Sequence, residues 1–562
     1  MTVDIKLVPI LKSGLMAVLF LQWPCLAHAA DGVPDAGSIL QEVQPALPPE
    51  PSSGESGLKI EPEASGKLPE TPPFEVRSIR ITGNTQFDTA QLHALVADSE
   101  GQSLTLQQLQ AVASRLTDFY NSHGYLLDRA IIPAQTIQEG VVEIRIIEAH
   151  YGKIALDNSS KVRDGLLKDT LAPLQPGQSI SRVELDRTLL LLTDIPGILT
   201  SATIKPGEAP GTSDLMVGVS PDRAVTGNVD VDNFGNRYTG KNRITGQVTF
   251  VNPAHHGDYL NLNAMSSGSG LDFGRMTYET LLTGKGMRMG GSWSSLHYTL
   301  GDTLSNLKSH GTAAIGSLWL KRPLVRSQQI NLYGQVQYDR KQLKDHTDLA
   351  SIRTDRHLKN VTLTLNGDVR DRFFSTAVSS WNVNLMRGFV GFDDAAAKSY
   401  DATHADVQGY FVKWNAALTR LQSLDTNNSL YLSLQYQTAN RNLDPSEKMV
   451  AGGPNAVRAY DTSAVSGDTG YVFSGEIRHI VADTRQGQWQ LVAFADHARI
   501  SQNKHPLSSG NNVKLSGAGF GLNWTDMSWT ARLQVAERIG TLPQMLSDAP
   551  STRVWLEIGK GF

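Results

Sequence analysis

The 562-residue chain is poor in cysteine and in charged residues, and each shortage excludes a class of protein. Its single cysteine, Cys25, lies near the N-terminus, so the rest of the chain can form neither disulfides nor thiolate metal sites. Charged residues make up 19% of the sequence, and the formal net charge is −4. Because no block of lysine and arginine stands out, a nucleic-acid partner is not expected.

Long apolar runs and catalytic motifs are also missing. No run of about 18 apolar residues follows the extreme N-terminus, so no helix is expected to span a bilayer, and any membrane role must rest on strands. The chain has no Gly-x-x-x-x-Gly-Lys-Ser/Thr, His-Glu-x-x-His or Gly-x-Ser-x-Gly motif. His255 and His256 are adjacent in a turn-like segment and are interpreted as solvated. We therefore expect no enzymatic activity, no catalytic residues, no cofactor and no metal site.

Residues 1–29 have the features of a secretory signal peptide. Lys6 and Lys12 form a basic region, residues 15–21 form a short apolar core, and Ala27-His28-Ala29 is a small-x-small cleavage site. An exported chain that lacks cysteine after cleavage suggests a bacterial envelope.

Residues 30–73 are rich in proline, glutamate, serine and glycine and are predicted to be a linker, because such a composition buries too little apolar surface to fold. Within it, residues 35–44 can form a helix with Ile39, Leu40 and Val43 on one face. A plug helix and a transient helix in a disordered tail both remain open.

Two tandem α/β units are predicted at residues 74–149 and 150–221. The first begins with a strand over residues 76–81, continues with two helices, and ends with strands over 130–134 and 141–147. Asp88 is predicted to cap its first helix, and Thr105 with Gln108 to form a capping box for the second.

The second unit repeats this β-α-α-β-β order, with a predicted capping box at Ser181 and Glu184. Such repeats are commonly interaction modules. We expect an extended guest chain to bind by adding a strand to an open sheet edge, near Val141 and Ile147 or near Leu199 and Lys205.

Beyond Val225 the sequence alternates with a period of two. In residues 330–338, Ile330, Val336 and Tyr338 share one face, and glutamine and asparagine share the other. Apolar residues opposite small polar ones suit a barrel with lipid outside and a wet lumen. Residues 222–562 contain about sixteen candidate strands, a number typical of such barrels. Tryptophans near strand ends are predicted to form interfacial girdles: Trp293, Trp319, Trp381, Trp414, Trp489, Trp524, Trp529 and Trp555.

One connection, residues 443–470, is far longer than the hairpin loops of about 2–5 residues that usually join strands. Loops of this length are usually functional or disordered. This one carries Gly452, Gly453, Val457, Arg458 and Tyr460, and an arginine among apolar residues is unlike a solvent-exposed loop.

Alternation in residues 491–496 places Phe494 and Asp496 on the same face of a strand. A charge facing lipid is unfavourable, so this face is predicted to line the lumen. Arg458 and Asp496 can then either form a charge-assisted pair or remain two separately solvated charges.

Three stretches resemble the two-partner secretion transporters, the haemolysin activator/secretion protein family. Tyr120-Asn-Ser-His-Gly-Tyr125, with residues 126–140, resembles the first POTRA domain of that family. Residues 452–460 resemble its loop motif, except that Ala459 stands where glycine is usual. Phe494-Ala-Asp496 resembles its Phe-x-Asp motif.

The resemblance implies a membrane all-β protein: a transmembrane barrel of about sixteen antiparallel strands in the bacterial outer membrane, preceded by two periplasmic α/β POTRA domains. It implies that the loop 443–470 folds inward and that Arg458 pairs with Asp496. Lipid surrounds such a barrel, and no nucleic acid is involved.

The function implied is type V secretion, in which the POTRA domains recognise an unfolded exported protein and the barrel secretes it. The partner would be a large β-helical exoprotein such as a haemolysin, an adhesin or a haem-binding protein. Two alternatives remain: an insertase that assembles other barrels, for which more POTRA copies are expected, and a passive diffusion porin, which needs no periplasmic domains.

Overall fold

A computed structural model describes residues 33–43, 57–61, 71–506, 510–546 and 549–562 of the chain. The predicted signal peptide, residues 1–29, and most of the predicted linker lie outside the described residues. Two described segments of that linker are helix α1 (Ala36–Val43) and strand β1 (Leu58–Ile60). No helix in the described ranges is long and apolar enough to cross a membrane.

The first α/β unit has the predicted order of elements. Its strands are β2 (Phe74–Val76), β3 (Ser78–Thr82), β4 (Gln102–Leu104), β5 (Arg129–Ile131) and β6 (Val141–Ile147), and its helices are α2 (Thr89–Ala94) and α3 (Leu106–Ser122). Asp88 caps α2 by accepting a hydrogen bond from the Ala90 amide, and the Thr105–Gln108 capping box is formed at α3.

The sheet order corrects one expectation. β6 lies between β3, which is parallel to it, and β5, which is antiparallel. Val141 and Ile147 therefore belong to a central strand, and the prediction that they form an open edge is wrong.

The second α/β unit comprises β7 (His150–Asn158), α4 (Asp164–Leu171), α5 (Arg182–Thr193), β8 (Ile198–Pro206) and β9 (Thr212–Pro221). The predicted capping box at Ser181 is wrong, because the Ser181 side chain makes no capping hydrogen bond. Glu184 instead accepts a hydrogen bond from Gln178 Nε2 at 2.9 Å. The Glu184 carboxylate, which a capping box would use, is therefore bound by the loop before α5.

The sheet of this unit has the order β1-β8-β9-β7. Leu199 and Lys205 lie on β8, which is, with β7, one of the two outer strands that the unit itself supplies. However, β1 from the linker pairs with β8 in parallel, so this edge is partly covered.

The remaining chain folds as β10 (Val225–Asp232), β11 (Arg243–Val251), β12 (Tyr259–Ser266), β13 (Leu271–Leu281), β14 (Arg288–Thr299), β15 (Ser309–Arg326), β16 (Ile330–Thr347), β17 (Ile352–Asp371), β18 (Ala377–Phe392), α6 (Ala395–Thr403), β19 (Gly409–Ser423), β20 (Asn428–Ala439), β21 (Met449–Ala451), β22 (Val465–Gly467), β23 (Thr469–Thr484), β24 (Gly487–Ser501), β25 (Asn512–Thr525), β26 (Trp529–Arg538) and β27 (Thr552–Gly561). All of these strands except β21 and β22 form one closed antiparallel barrel, which β10 and β27 close. The expectation of about sixteen strands is confirmed.

The two faces of the barrel differ as predicted. Ile330, Val336 and Tyr338 are exposed on the outside of β16, whereas Asn331 and Asp339 on the other face are buried. An apolar outer wall around a polar interior is the arrangement that a lipid bilayer requires.

Two of the tryptophans assigned to the girdles face inward instead. Trp555 is buried, and Trp319 donates a hydrogen bond from Nε1 to Glu279 Oε2 at 2.8 Å. On β27 the outward positions belong to Val554 and Leu556, which are exposed, so alternation turns Trp555 toward the lumen.

The second α/β unit contacts the barrel through a buried ion pair. Arg326, at the end of β15, reaches Asp194 at the end of α5, with Nε–Oδ2 and Nη2–Oδ1 distances of 2.7 and 2.8 Å. Arg326 Nη1 also donates to Asn331 Oδ1 at 3.0 Å. A bidentate pair of this kind fixes the position of both groups.

Candidate functional site inside the barrel

The long connection between β20 and β23 lies inside the barrel and contains the β21–β22 hairpin. Gly452 and Gly453, which follow β21, have φ angles of 97° and 101°, a region that side chains other than glycine rarely adopt. A Cβ at Gly452 would also lie 2.4 Å from the Asp461 carbonyl oxygen. Both glycines are therefore needed for the turn, which the Gly453 amide closes on the Tyr460 carbonyl at 3.0 Å.

Arg458 is the centre of the loop's contacts with the wall, and only 3% of the residue is exposed. Its Nε and Nη2 donate to the two carboxylate oxygens of Asp496 at 2.9 and 2.7 Å. Its backbone amide also donates to Asp496 Oδ2, at 3.1 Å. The structure thus brings the two predicted residues together as a bidentate pair and not as separately solvated charges.

Further groups on the wall surround the same guanidinium. Arg458 Nη1 donates to Glu476 at 2.7 Å, and Nη2 donates to the Ser474 hydroxyl at 2.8 Å. The guanidinium carbon lies 3.4 Å from the centre of the Phe494 ring, as in a cation–π contact. All three nitrogens of the Arg458 side chain therefore donate to the wall.

Trp555 holds the backbone of the same residue. Its indole Nε1 donates to the Arg458 carbonyl oxygen at 2.7 Å. The loop tip is thus fixed from β23, β24 and β27, three strands of the barrel wall.

The apolar residues of the motif pack beside this polar centre. Val457, Ala459 and Tyr460 are buried in one cluster with Val492 and Phe494 of the wall. Ala459 is not among the residues with positive φ, so alanine fits its backbone without strain. Its methyl group lies against Gly517 of β25, where an added Cβ would come within 2.5 Å of it.

The sequence analysis missed Glu476, Ser474 and Trp555. A signal existed for the two residues of β23: Ser474 and Glu476 share one face of that strand, and Ser474 pairs directly with Asp496 in the register of β23 and β24. Knowing that β23 and β24 are neighbours would have placed both polar groups beside the aspartate.

The beginning of the loop is fixed by a second set of buried charges. Glu447 pairs with Lys341 Nζ at 2.6 Å and with Lys413 Nζ at 2.7 Å. Asp444 accepts a hydrogen bond from Arg356 Nε at 2.5 Å. The sequence analysis did not single out these residues, because the lysines and the arginine lie on strands far from the loop in sequence.

Helix α1 also lies in the lumen, on the same charges. Ile39, Leu40 and Val43 are buried against inward-facing apolar residues of the barrel. Arg356 pairs with Asp35 at the start of the helix and with Asp345 at 2.6 Å, and the Ala36 amide donates to Asp345 at 2.7 Å. The helix and the loop therefore share Arg356.

The far end of α1 meets the connection between β10 and β11. There Glu42 accepts a hydrogen bond from Asn236 Nδ2 at 3.0 Å. Because β10 leaves the second α/β unit, this connection lies at the opposite end of the barrel from the two units. The helix thus obstructs the lumen at the end away from the α/β units.

Comparison with known proteins assigns the family. The family model for haemolysin secretion/activation protein ShlB/FhaC/HecB matches residues 211–524, more than half of the chain. A model for the ShlB-type POTRA domain matches residues 74–149. The resemblance drawn from the sequence is thereby confirmed.

Individual relatives cover nearly the whole chain. The heme/hemopexin transporter protein HuxB of Haemophilus influenzae (strain 86-028NP) is 25% identical over 543 residues, which is 94% of this chain and 95% of the relative. The outer membrane transporter CdiB of Escherichia coli is 25% identical over 480 residues, 83% of this chain and 78% of the relative.

A solved structure shows the same fold. CdiB from Escherichia coli superposes with a TM-score of 0.69 at 22% identity, covering 89% of this chain and 93% of that one. The chain therefore belongs to the haemolysin secretion/activation protein family and is an outer-membrane transporter of two-partner secretion, with its POTRA units in the periplasm.

Proposed function

We propose that the chain captures an unfolded exported protein on its POTRA units and passes it outward through the barrel. The observation that carries the proposal is that the lumen contains a helix and a loop held to the wall by side-chain contacts, both polar and apolar, and not by strand pairing. Such contacts can be exchanged without opening the barrel. A folded β-rich domain would not fit beside them, so the cargo passes extended.

The cargo in this proposal is a large β-helical exoprotein. HuxB is named as a heme/hemopexin transporter, which supports a haem-binding exoprotein among the candidates, beside haemolysins and adhesins. The chain itself needs no catalytic activity, because folding of the cargo outside the cell can make export directional.

We assign the loop the role of a fixed element of the pore. Arg458 anchors it to Asp496, and Phe494 packs on the guanidinium. Gly452 and Gly453 shape the turn, while Val457 and Tyr460 fill the apolar contact with the wall. We assign helix α1 the role of the element that leaves the lumen during export, since side-chain contacts and no strand pairing hold it there.

The proposal is tested by deleting the gene in the native bacterium and comparing proteins in the medium and in the outer membrane. We expect at least one large exoprotein to disappear from the medium while the outer-membrane proteins stay unchanged. A general decline of outer-membrane barrels would indicate an insertase instead. Slower uptake of small solutes, with an unchanged medium, would indicate a diffusion porin.

A further inference from the structure

The edge of the second POTRA sheet is occupied by a short piece of the linker. β1 pairs with β8 in parallel through three residue pairs: Leu58 with Ala202, Lys59 with Thr203, and Ile60 with Ile204. The Ala202 amide donates to the Gly57 carbonyl at 3.4 Å, and the Glu61 amide donates to the Ile204 carbonyl at 3.0 Å. β8 itself has nine residues, so most of its edge has no partner from β1.

The described linker strand pairs with only part of β8. Gly57, which precedes it, has a φ of 61°, and a Cβ there would lie 3.2 Å from the Thr200 carbonyl oxygen. β1 begins opposite Ala202, three residues after Leu199, whose side chain is 56% exposed. β1 is an incomplete occupant of an edge that a longer strand could fill.

The β8 edge can pair with extended chains of many sequences, because the pairing depends little on the side chains of the guest. The side chains of Ala202 and Ile204 are buried in the core of the unit and leave the edge clear. The Ala202 amide and the Ile204 carbonyl face the linker. Leu58 packs partly against that core, whereas Ile60 stays 44% exposed. Backbone pairing with one apolar contact suits many sequences, provided that the segment is extended.

We propose that the β8 edge is the docking site for an extended segment of the exported protein, and that β1 is a displaceable occupant of this site. This inference rests on the proposed function. A guest of five or more residues would pair along more of β8 than the three residues of β1 do, and it would replace β1 without disturbing β9 on the other side.

Displacement would also act on the lumen. Residues 44–57 join α1 to β1, and a chain of this length can reach at most about 50 Å. While β1 is paired, the helix is tethered to the periplasmic unit. A guest on β8 frees β1, so that the helix is then tethered only through the longer segment that ends at β2, and capture of the cargo favours release of the helix.

Locking β1 in place tests the proposal in the full-length protein. Lys59→Cys with Thr203→Cys puts two thiols at directly paired positions, where strand spacing suits a disulfide, and the periplasm is oxidising. The matched control is Ala155→Cys with Met216→Cys, which joins β7 to β9 in the same sheet and leaves β8 free. The probe is the set of exoproteins that disappear from the medium when the gene is deleted.

We expect the locked variant to release these exoproteins at least tenfold less than the control, and a reducing agent in the medium to restore their release. Equal release by the locked and control variants would overturn the docking proposal while leaving the proposed function intact. If gene deletion removes no exoprotein, the proposed function fails and the docking proposal fails with it.

A second variant separates an occupant from a structural strand. Lys59→Pro removes a linker amide that faces β8 and weakens β1 without touching the POTRA unit. We expect this variant to secrete at least as well as the unaltered protein. Loss of secretion in Lys59→Pro, at an unchanged level in the outer membrane, would show that β1 is required as structure and would overturn the proposal.

Discussion

Arg458 is the residue on which the inward loop depends. It neutralises Asp496 and shares Glu476 with Arg478, so cations and carboxylates alternate along this part of the wall. Breaking a buried pair by removing one partner typically destabilises a protein by about 3–5 kcal/mol, because the remaining charge is left without compensation. We expect this loss of stability to loosen the loop and not to unfold the barrel.

Arg458→Ala is expected to lower secretion about tenfold or more while the barrel still inserts, since the barrel strands pair without the loop. Release of exoprotein and heat-modifiable gel mobility measure the two effects. Arg485→Ala, at an exposed position between β23 and β24, is the control. Undiminished secretion by Arg458→Ala would contradict the anchor role.

Reversing both charges, Arg458→Asp with Asp496→Arg, is expected to restore little. Glu476 lies 2.7 Å from the guanidinium, so a carboxylate at position 458 would face it. Adding Glu476→Gln should increase secretion relative to the double variant. If the double variant alone secretes normally, Glu476 has no part in holding the loop.

The sequence could predict the pair but not its surroundings. Strand alternation placed Asp496 in the lumen, and the loop length indicated a functional segment. Glu476 and Ser474 required the register of the hairpin between β23 and β24, which a bulge between Ile480 and Ala482 shifts and which strand alternation alone does not give. Trp555 was misplaced because its position near a strand end suggested an interfacial role, whereas alternation with the exposed Val554 and Leu556 turns it toward the lumen.

A buried carboxyl in the first POTRA unit makes its stability depend on pH. Burial, with a smaller contribution from the nearby charge of Glu148, raises the pKa of Asp128 to about 7 against the opposing effect of a hydrogen bond from the Ala149 amide. Since the folded pKa exceeds the unfolded value near 4, the stabilisation is complete below about pH 4 and is lost as the pH rises through 7.

We therefore expect a fragment of residues 71–221 to lose stability in urea between pH 5.5 and 8. Asp128→Asn should flatten this dependence, because the amide does not ionise. Glu148 does not produce the same trend: despite burial, hydrogen bonds led by Thr85 lower its pKa, so its contribution is lost on acidification. An identical slope in wild type and Asp128→Asn would exclude Asp128 as the source.

At the scale of elements, strand order is what the sequence did not reveal. Periodicity identified β6 and β8 as strands, but it carries no information on which strand lies in the middle of a sheet. β6 became central because the two helices before it allow a parallel pairing with β3. The partner of β8 came from the linker, whose composition gave no strand signal.

Proline substitutions on β8 distinguish its two sides. The Ala202 amide faces the linker, so Ala202→Pro removes a donor from the docking edge, where proline is tolerated. By alternation, Ser201→Pro removes a donor facing β9 and should unfold the unit. We expect Ala202→Pro to keep native circular dichroism in the 71–221 fragment and to lower secretion in the full chain. Normal secretion with this variant would argue against use of the edge.

Helix α1 gives an expectation for the resting pore. Deleting residues 31–70 removes both α1 and β1 and should raise single-channel conductance in planar bilayers without abolishing export. Asp35→Ala, which removes one carboxylate from Arg356, should increase the frequency of openings and leave their size unchanged. Equal conductance with and without the segment would show that α1 does not obstruct the lumen.

At the scale of the whole molecule, the Arg326–Asp194 ion pair helps to orient the second POTRA unit against the barrel, beside a hydrogen bond from Arg288 Nη2 to the Asp194 carbonyl at 2.8 Å. Arg326→Ala leaves Asp194 without its bidentate partner, and a spin-label distance between α5 and the β15–β16 turn should broaden. Arg322→Ala, at an exposed position on the same strand, should leave the distance distribution unchanged. A narrow distribution in Arg326→Ala would mean that other contacts suffice.

The number of strands and the two faces of the wall were predictable, because every strand must present apolar residues to lipid and polar residues to the lumen. The contact between Arg326 and Asp194 was not, since it joins groups more than a hundred residues apart that no local pattern relates.

The contact between Ala459 and Gly517 has a consequence for how such sequences diverge. The space between loop and wall there admits one methyl group, and in this chain the loop supplies it. Relatives with glycine in the loop are free to place the methyl group on the strand, whereas methyl groups at both positions would collide unless the loop shifted away from the wall. An alignment of the family should therefore show the positions of Ala459 and Gly517 varying together, although two strands of the barrel separate them along the chain.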